Sequence, residues 1–204
     1  MDKPRLLIAS NNPGKLEEFR RLLADSGCQI VSPQDLGIQL SADETGGSYA
    51  ENATIKALEG AKLSGLLTIA DDSGLEIDTL AGAPGHLSAR YLGEEAGYPE
   101  RFAAILEALE GLPASQRTAR FRCVIAVALP DKEEVRLVEA TCEGTIAQEP
   151  LGEKGFGYDP IFYLPELGKT MAQVASREKD KLSHRGRAAR AALPIIKELA
   201  HASR

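Results

Sequence analysis

The chain has 204 residues, a hydrophobic content of 43% and a formal net charge of −6, with an isoelectric point near 5.2. A chain of this length can bury a sizeable core, and we expect a single domain, residues 1–204, with two lobes. The acidic balance argues against a protein that coats nucleic acid, because such proteins carry a basic face. No signal-peptide pattern and no bilayer-spanning run is present, so we expect a cytoplasmic protein without a membrane partner.

The first predicted element is a strand over residues 5–9, which runs into the polar turn 10–14. Apolar residues at helical spacing then predict a helix that follows the turn, with acids early and arginines late, as suits the helix dipole. A second strand is expected around residues 29–31. Alanines at positions 50, 53, 57 and 61 trace the small-residue face of a further helix.

Residues 66–70 form an apolar run that predicts a buried strand, and residues 71–74, Asp-Asp-Ser-Gly, predict a turn after it. This arrangement would place two carboxylates at a strand end. Further along, residues 101–109 have helical spacing. Residues 119–129 and 135–143 flank a polar segment and predict a β-hairpin.

A glycine-rich loop over residues 152–157 precedes a predicted strand at 158–163, and the last helix should begin near His184. Pro194 should kink or divide that helix. Strands alternate with helices early in the chain, but a hairpin comes late. The sequence therefore predicts the α/β class, with a mixed sheet.

Residues 10–15, Ser-Asn-Asn-Pro-Gly-Lys, combine the free amides of a helix start, a positive dipole end and a lysine. These features suit a polyphosphate. The alternative is a plain Asn-Pro-Gly turn with a solvated lysine, and the segment alone does not decide between the two.

Asp71 and Asp72 supply adjacent carboxylates, the ligands that hard cations such as Mg²⁺ take together with substrate phosphates. A carboxylate beside the metal can also deprotonate or orient a water molecule. The alternative is a type I turn, and both interpretations can hold at once. Asp43 and Glu44 form a second acidic cluster, for which a helix-capping role is the stronger interpretation.

Residues 155–160, Gly-Phe-Gly-Tyr-Asp-Pro, place an aromatic ring between glycines beside an acid. Such a ring can stack on a base, although it is more often simply buried. Lys179, His184 and Arg185 form a cationic cluster at a helix start, where they oppose the helix dipole. A nearby anion or carbonyl oxygen would explain them.

Six segments together resemble the inosine triphosphate pyrophosphatase family, also called the Ham1 or non-standard purine NTP pyrophosphatase family. They are LIASNNPGKLEEF, ETGGSYAENATIKA, IADDSGLEID, GAPGHLSARY, GEKGFGYDPIF and EKDKLSHRG, in the family's order. The resemblance implies an elongated two-lobed α/β fold with a central mixed sheet flanked by helices. It further implies a site in the cleft between the lobes, and a homodimer.

The resemblance also implies roles for particular residues. Asp72 matches the general base and a Mg²⁺ ligand, Glu44 matches the second acid of the magnesium site, and the role of Asp71 stays open. The residues expected to bind substrate are Ser10, Asn11, Asn12, Pro13, Gly14, Lys15, Ser73, Phe156, Gly157, Tyr158, Asp159, Lys179, His184 and Arg185.

The implied activity is Mg²⁺-assisted hydrolysis of ITP, dITP and XTP to the monophosphate and pyrophosphate, through attack of water on the α-phosphorus. Two alternatives stay open from the residues. One is a pyrophosphatase for another modified nucleotide, and the other is a nucleotide sensor without catalysis. Two acidic clusters argue against a sensor, since they weaken triphosphate binding unless a metal is present.

Overall fold

The structure is a computed structural model that describes residues 3–41 and 45–202. Its strands are β1 (Arg5–Ile8), β2 (Gln29–Val31), β3 (Leu67–Ile77), β4 (Thr118–Ala128), β5 (Val135–Ile146), β6 (Phe162–Leu164) and β7 (Lys169–Thr170). Its α-helices are α1 (Pro13–Leu22), α2 (Pro33–Leu36), α3 (Tyr49–Ser64), α4 (Tyr98–Ala108), α5 (Ser176–Leu182) and α6 (His184–Ala202). Within this described part of the chain, no helix is both long and apolar enough to cross a membrane.

The strands form a seven-stranded sheet in the order β2-β1-β3-β4-β5-β6-β7. β1 is parallel to β2 and to β3, whereas β6 is antiparallel to β5 and to β7. β4 and β5 are neighbours joined by residues 129–134, a connection too short for parallel strands. The predicted mixed α/β sheet and its hairpin are therefore confirmed.

The chain divides into two compact units. Unit 1 comprises Met1–Asp72, Cys123–Ala140 and Arg185–Arg204, and unit 2 comprises Ser73–Arg122 and Thr141–His184. Each unit has a hydrophobic core of its own, built from residues that are less than one-tenth exposed.

In unit 1, alternate residues of β4 point to opposite faces of the sheet. Cys123, Ile125 and Val127 belong to one cluster, with the buried alanines of α6 and with Phe19 of α1. Val124, Ala126 and Ala128 belong to another cluster, with the alanines of α3. Alanine lets the helix backbones approach the sheet closely, so the predicted small-residue face of α3 is confirmed.

In unit 2, α4 packs its apolar face on the sheet. Phe102 and Ile105 of α4 cluster with Leu75 and Ile77 of β3 and with Phe162 of β6. Burying one such side chain completely contributes about 1.5–3 kcal/mol to folding, so this cluster accounts for much of the unit's core stability.

The predicted turn at residues 71–74 is wrong, because β3 continues through it to Ile77. A turn would expose its acids to water, but the side chains of Asp71 and Asp72 are buried and both face lysine or arginine. These cations stabilise the buried carboxylates in place of water. Beyond them, Leu75 is again a buried apolar residue of the strand. The two carboxylates lie within a strand, not at its end.

The predicted strand at 158–163 begins only at Phe162. Ile161 and Phe162 donate backbone hydrogen bonds to the Tyr158 carbonyl, which closes a turn, and Pro160 has no N–H for a strand ladder. α1 begins earlier than predicted, at Pro13. Asn12 caps that helix, and proline is favoured in a first helical turn.

The last helix begins at His184, as predicted, and α6 runs to Ala202 with Pro194 inside it. Of the two expectations for Pro194, division of the helix is wrong, and a kink stays a prediction. Pro194 lies on the exposed side of α6, where solvent can replace the lost hydrogen bond, and buried alanines hold the helix on either side. The charged segment before α6 forms a helix of its own, α5.

Candidate active site

The predicted phosphate turn lies between β1 and α1. The Asn12 side-chain oxygen accepts from the Lys15 backbone N–H at 3.1 Å, and the Asn12 N–H donates to Ser10 Oγ at 3.2 Å. These bonds fix the first turn of α1, while Asn11, Asn12 and Pro13 stay exposed. The turn therefore presents a helix N-terminus and its positive dipole end to solvent.

Asp71 lies at the centre of a buried group of charges in unit 1. Its Oδ2 is 3.1 Å from Nζ of Lys15 and 3.2 Å from Nη2 of Arg185. Arg185 Nη1 lies 2.7 Å from Oε2 of Glu18, which is also buried. The guanidinium of Arg185 thus joins the carboxylates of α1 and β3.

Burial alone would raise the pKa of the Asp71 carboxyl, but the positive charges of Lys15, Arg185 and Lys56 outweigh it. The pKa of Asp71 therefore lies well below its ordinary value, and the group is ionised at neutral pH. Burial likewise raises the pKa of the neighbouring Cys123 thiol, and the Asp71 charge raises it further. Cys123 is therefore a protonated thiol and not a nucleophile.

Asp72 points to a different set of partners. Asn52 Nδ2 donates to its Oδ2 at 3.1 Å, and Lys56 Nζ lies 3.5 Å from its Oδ1. Asn52 and Lys56 lie four residues apart on α3, so they share one face of the helix. The two adjacent acids of β3 are thus directed to separate cation and hydrogen-bond sets, Asp71 toward α1 and α6 and Asp72 toward α3.

The predicted second metal ligand, Glu44, lies outside the described residues. Within residues 3–41 and 45–202, no group of three or more His, Cys, Asp and Glu side chains could hold a metal by itself. The donor chemistry of Asp72 nevertheless fits Mg²⁺. This ion commonly takes one or two carboxylates and completes its shell with water and substrate phosphates.

In unit 2, the loop that carries Phe156 is held by a buried ion pair. Asp159 Oδ2 accepts from the Phe156 backbone N–H at 3.0 Å and lies 2.5 Å from Nζ of Lys179. The same ammonium lies 4.9 Å from the centre of the half-buried Phe156 ring. Gly155, at φ +75°, passes so close to this pair that a Cβ there would overlap the Asp159 carboxylate.

The other predicted base-site residues of unit 2 are more deeply placed. Tyr158 is buried and donates from its hydroxyl to the Ser88 carbonyl at 2.9 Å. His184 is buried and stacks on Phe121, with ring centres 4.7 Å apart. Ser73, on β3, is half-buried. Gly157 has φ +65° and lies next to the ring of Tyr98.

Each unit therefore brings together part of the predicted set. Unit 1 joins Lys15, Asp71 and Arg185, and unit 2 joins Phe156, Asp159 and Lys179. The cationic cluster predicted a nearby anion, and side chains of the protein itself provide it. Asp71 and Glu18 pair with Arg185, and Asp159 pairs with Lys179.

Sequence reasoning assigned no role to Glu18, Asn52 or Lys56, although each contacts a predicted residue. Helical spacing was the available signal. Glu18 lies three residues after Lys15 on α1, and Lys56 four residues after Asn52 on α3.

Known proteins resemble this chain over most of its length. A sequence profile of the Ham1 family matches residues 6–195. A dITP/XTP pyrophosphatase from Geobacillus kaustophilus is 49% identical over 183 residues, which cover 90% of this chain and 89% of the relative. A solved structure of a HAM1 protein from Coxiella burnetii matches with a TM-score of 0.85 and 41% identity, covering 96% of this chain and 99% of the other.

A second similar structure is that of a protein named for an activity. The nucleoside-triphosphatase or dITP/XTP pyrophosphatase from Mycobacterium abscessus matches with a TM-score of 0.73 and 44% identity. The match covers 93% of this chain and 99% of that structure. The family profile, the sequence relatives and the fold agree, and this chain therefore belongs to the Ham1 family.

Proposed function

We propose that this chain is a nucleoside-triphosphate pyrophosphohydrolase that cleaves deaminated purine nucleotides, ITP, dITP and XTP, to the monophosphate and pyrophosphate. The observation that carries the proposal is the 49% identity to a dITP/XTP pyrophosphatase over nearly the whole of both chains. The geometry of the site supports it, because two adjacent acids of β3 lie beside lysines, one of them at the start of α1 in unit 1.

The triphosphate binds at residues 10–15 in this proposal. The exposed amides at the start of α1 and the dipole of that helix favour phosphate oxygens. Lys15, which contacts Asp71 here, adds a positive charge for the β and γ phosphates. Asp71 keeps this lysine near the turn, and the buried Arg185 keeps Asp71 in place.

Asp72 is the proposed general base. Its carboxylate orients or deprotonates the water that attacks the α-phosphorus, so that the bond to the pyrophosphate oxygen breaks. Lys56, 3.5 Å from Asp72 Oδ1, places a positive charge beside this carboxylate. Mg²⁺ held by Asp72 and Glu44 would neutralise charge on the phosphate oxygens.

In this proposal, the base of the nucleotide is read by Gly157, Tyr158, His184 and the Phe156–Asp159–Lys179 group of unit 2, and Ser73 contacts the substrate beside Asp72. Hypoxanthine and xanthine carry a carbonyl acceptor at the position where adenine carries an amino donor. Arg185, also expected at the base, is buried with its nitrogens directed to Asp71 and Glu18, so Lys179 is the proposed cationic donor that would favour the carbonyl. Against ATP the same donor would be left without an acceptor, a mismatch that costs about 1–3 kcal/mol.

The remaining parts of the proposal concern the protein's state in the cell. We propose that residues 1–204 form a single catalytic domain, that the protein is a cytoplasmic homodimer, and that it has neither nucleic acid nor membrane as a partner. The acidic composition supports the exclusion of nucleic acid, since no excess of positive charge is available to neutralise a phosphate backbone.

A substrate panel tests the function. Pyrophosphate release is measured from ITP, dITP, XTP, GTP, ATP and dTTP, each with and without Mg²⁺. The proposal predicts fast, Mg²⁺-dependent release from the first three only. Release mainly from dTTP would indicate a pyrophosphatase for another nucleotide. Binding without release from any of the six would indicate a sensor.

A further inference from the structure

Asn52 links two parts of unit 1 through a single carboxamide. The side chain is fully buried on α3. Its Nδ2 donates to Asp72 Oδ2 at 3.1 Å, and its Oδ1 accepts from the Gly46 backbone N–H at 2.9 Å. The orientation of the amide follows from its neighbours, because the carboxylate needs a donor and the N–H needs an acceptor.

The turn before α3 is built closely around this amide. A Cβ at Gly46 would lie 2.7 Å from Asn52 Oδ1 and 3.0 Å from the Asn52 backbone nitrogen. The next residue, Gly47, has space, since its Cβ would lie 3.6 Å from the nearest atom, Oε2 of Glu51. Of these two glycines, only Gly46 lies so close to the Asn52 amide that a Cβ would overlap it. Gly46 follows Glu44 in the sequence by two residues.

We propose that Asn52 is a positioning residue for the reaction: it fixes the carboxylate of Asp72 and couples it to the turn at Gly46. This inference rests on the proposed function. Asn52 holds one oxygen of Asp72 and Lys56 lies beside the other, so the carboxylate cannot rotate freely. The carboxamide donates to the carboxylate through its nitrogen and accepts from the Gly46 N–H through its oxygen, without a change of protonation state.

The two glycines provide a matched test, because the same substitution meets different surroundings. Gly46→Ala should push the Asn52 amide away from its place and lower kcat for ITP by about 10- to 100-fold. KM should change less than about threefold, because the phosphate turn at residues 10–15 is untouched. Gly47→Ala should keep kcat within about twofold. Equal kcat values for the two variants would overturn the proposal.

Replacement of Asn52 by a residue of similar size tests its hydrogen bonds directly. The aliphatic side chain in Asn52→Leu neither donates to Asp72 nor accepts from Gly46. If Asn52 positions Asp72, this variant should lose kcat for ITP by about 10- to 100-fold, with KM changed less than about threefold. A kcat near that of the wild type would overturn the proposal.

Crystal structures of the two glycine variants give a result that does not depend on activity. We expect the carboxylate of Asp72 to be rotated or displaced in Gly46→Ala and unchanged in Gly47→Ala. An unchanged Asp72 in both would overturn the inference even if the enzyme is active. A wild-type protein that hydrolyses none of the nucleotides would refute the proposed function, and the two structures would still decide whether Asn52 positions Asp72.

Discussion

Arg185 and Asp71 form a buried ion pair in which Nη2 of the guanidinium lies 3.2 Å from Oδ2 of the carboxylate. They lie 114 residues apart in the chain, one at the start of α6 and the other within β3. Glu18 and Lys15 of α1 complete the group. Three elements of unit 1 are therefore held together by alternating charges, of which Asp71, Glu18 and Arg185 are buried and Lys15 is partly exposed.

Replacement of Arg185 should destabilise the protein strongly. Arg185→Met leaves two buried carboxylates without their shared cation, and we expect the free energy of unfolding to fall by about 3–5 kcal/mol. Lys197→Met, on the exposed side of the same helix, should change it by less than about 0.5 kcal/mol. Urea unfolding measures both. Similar values for the two variants would show that the buried pair adds nothing to stability.

The low pKa of Asp71 predicts a loss of stability in acid. Because the folded pKa is depressed, the stabilising contribution is present above the unfolded pKa of about 4 and is lost as pH falls toward the folded value. Between about pH 5 and pH 3 the wild type should therefore lose more stability than Asp71→Asn. Urea titrations at several pH values compare the two slopes. Parallel slopes would contradict this assignment.

Replacement of Asp72 should remove turnover without unfolding the protein. Asp72→Asn keeps an oxygen that can accept from Asn52, but it cannot take a proton, so we expect kcat to fall by about 10²- to 10⁴-fold. Asp131→Asn, in the exposed β4–β5 loop, is the control and should retain wild-type kcat. A rate for Asp72→Asn close to that of the control would exclude Asp72 as the base.

A side chain at Gly155 should impair the enzyme, because it would overlap the Asp159 carboxylate as well as strain the backbone. Gly155→Ala would drive a methyl group into the Asp159–Lys179 pair, displace the Phe156 loop and lower kcat/KM for ITP by about 10-fold or more. Gly168→Ala is a matched control in the same unit, since Gly168 also has positive φ but its Cβ would lie 3.8 Å from the nearest atom, Oη of Tyr163, an ordinary contact distance. Equal losses in kcat/KM for the two variants would mean that backbone strain alone explains the effect.

Hydrophobic periodicity and turn residues predicted most of the fold. β1, β2, the alanine face of α3 and the late hairpin were readable from the sequence, because each depends on neighbouring residues alone. The path of β3 through Asp71 and Asp72 could not be predicted from the sequence. It depends on Lys15, Lys56 and Arg185, which approach from distant parts of the chain, and local pattern carries no information about such partners.

The candidate site shows the same division. Lys15, Asp72 and the Phe156 loop stand in recognisable motifs, so they were identified as candidates. Two supporting residues were not identified: Glu18, which pairs with Arg185, and Asn52, which donates to Asp72. Their importance appears only when distant elements of the chain are brought together, because the spacing along each helix does not show which residue the side chain will meet.

Turnover in water labelled with heavy oxygen shows which phosphorus atom the water attacks. ITP is turned over with Mg²⁺, and the products are separated and analysed by mass spectrometry. Attack on the α-phosphorus gives labelled IMP and unlabelled pyrophosphate. Label in the pyrophosphate, or formation of IDP and inorganic phosphate, would rule out attack on the α-phosphorus.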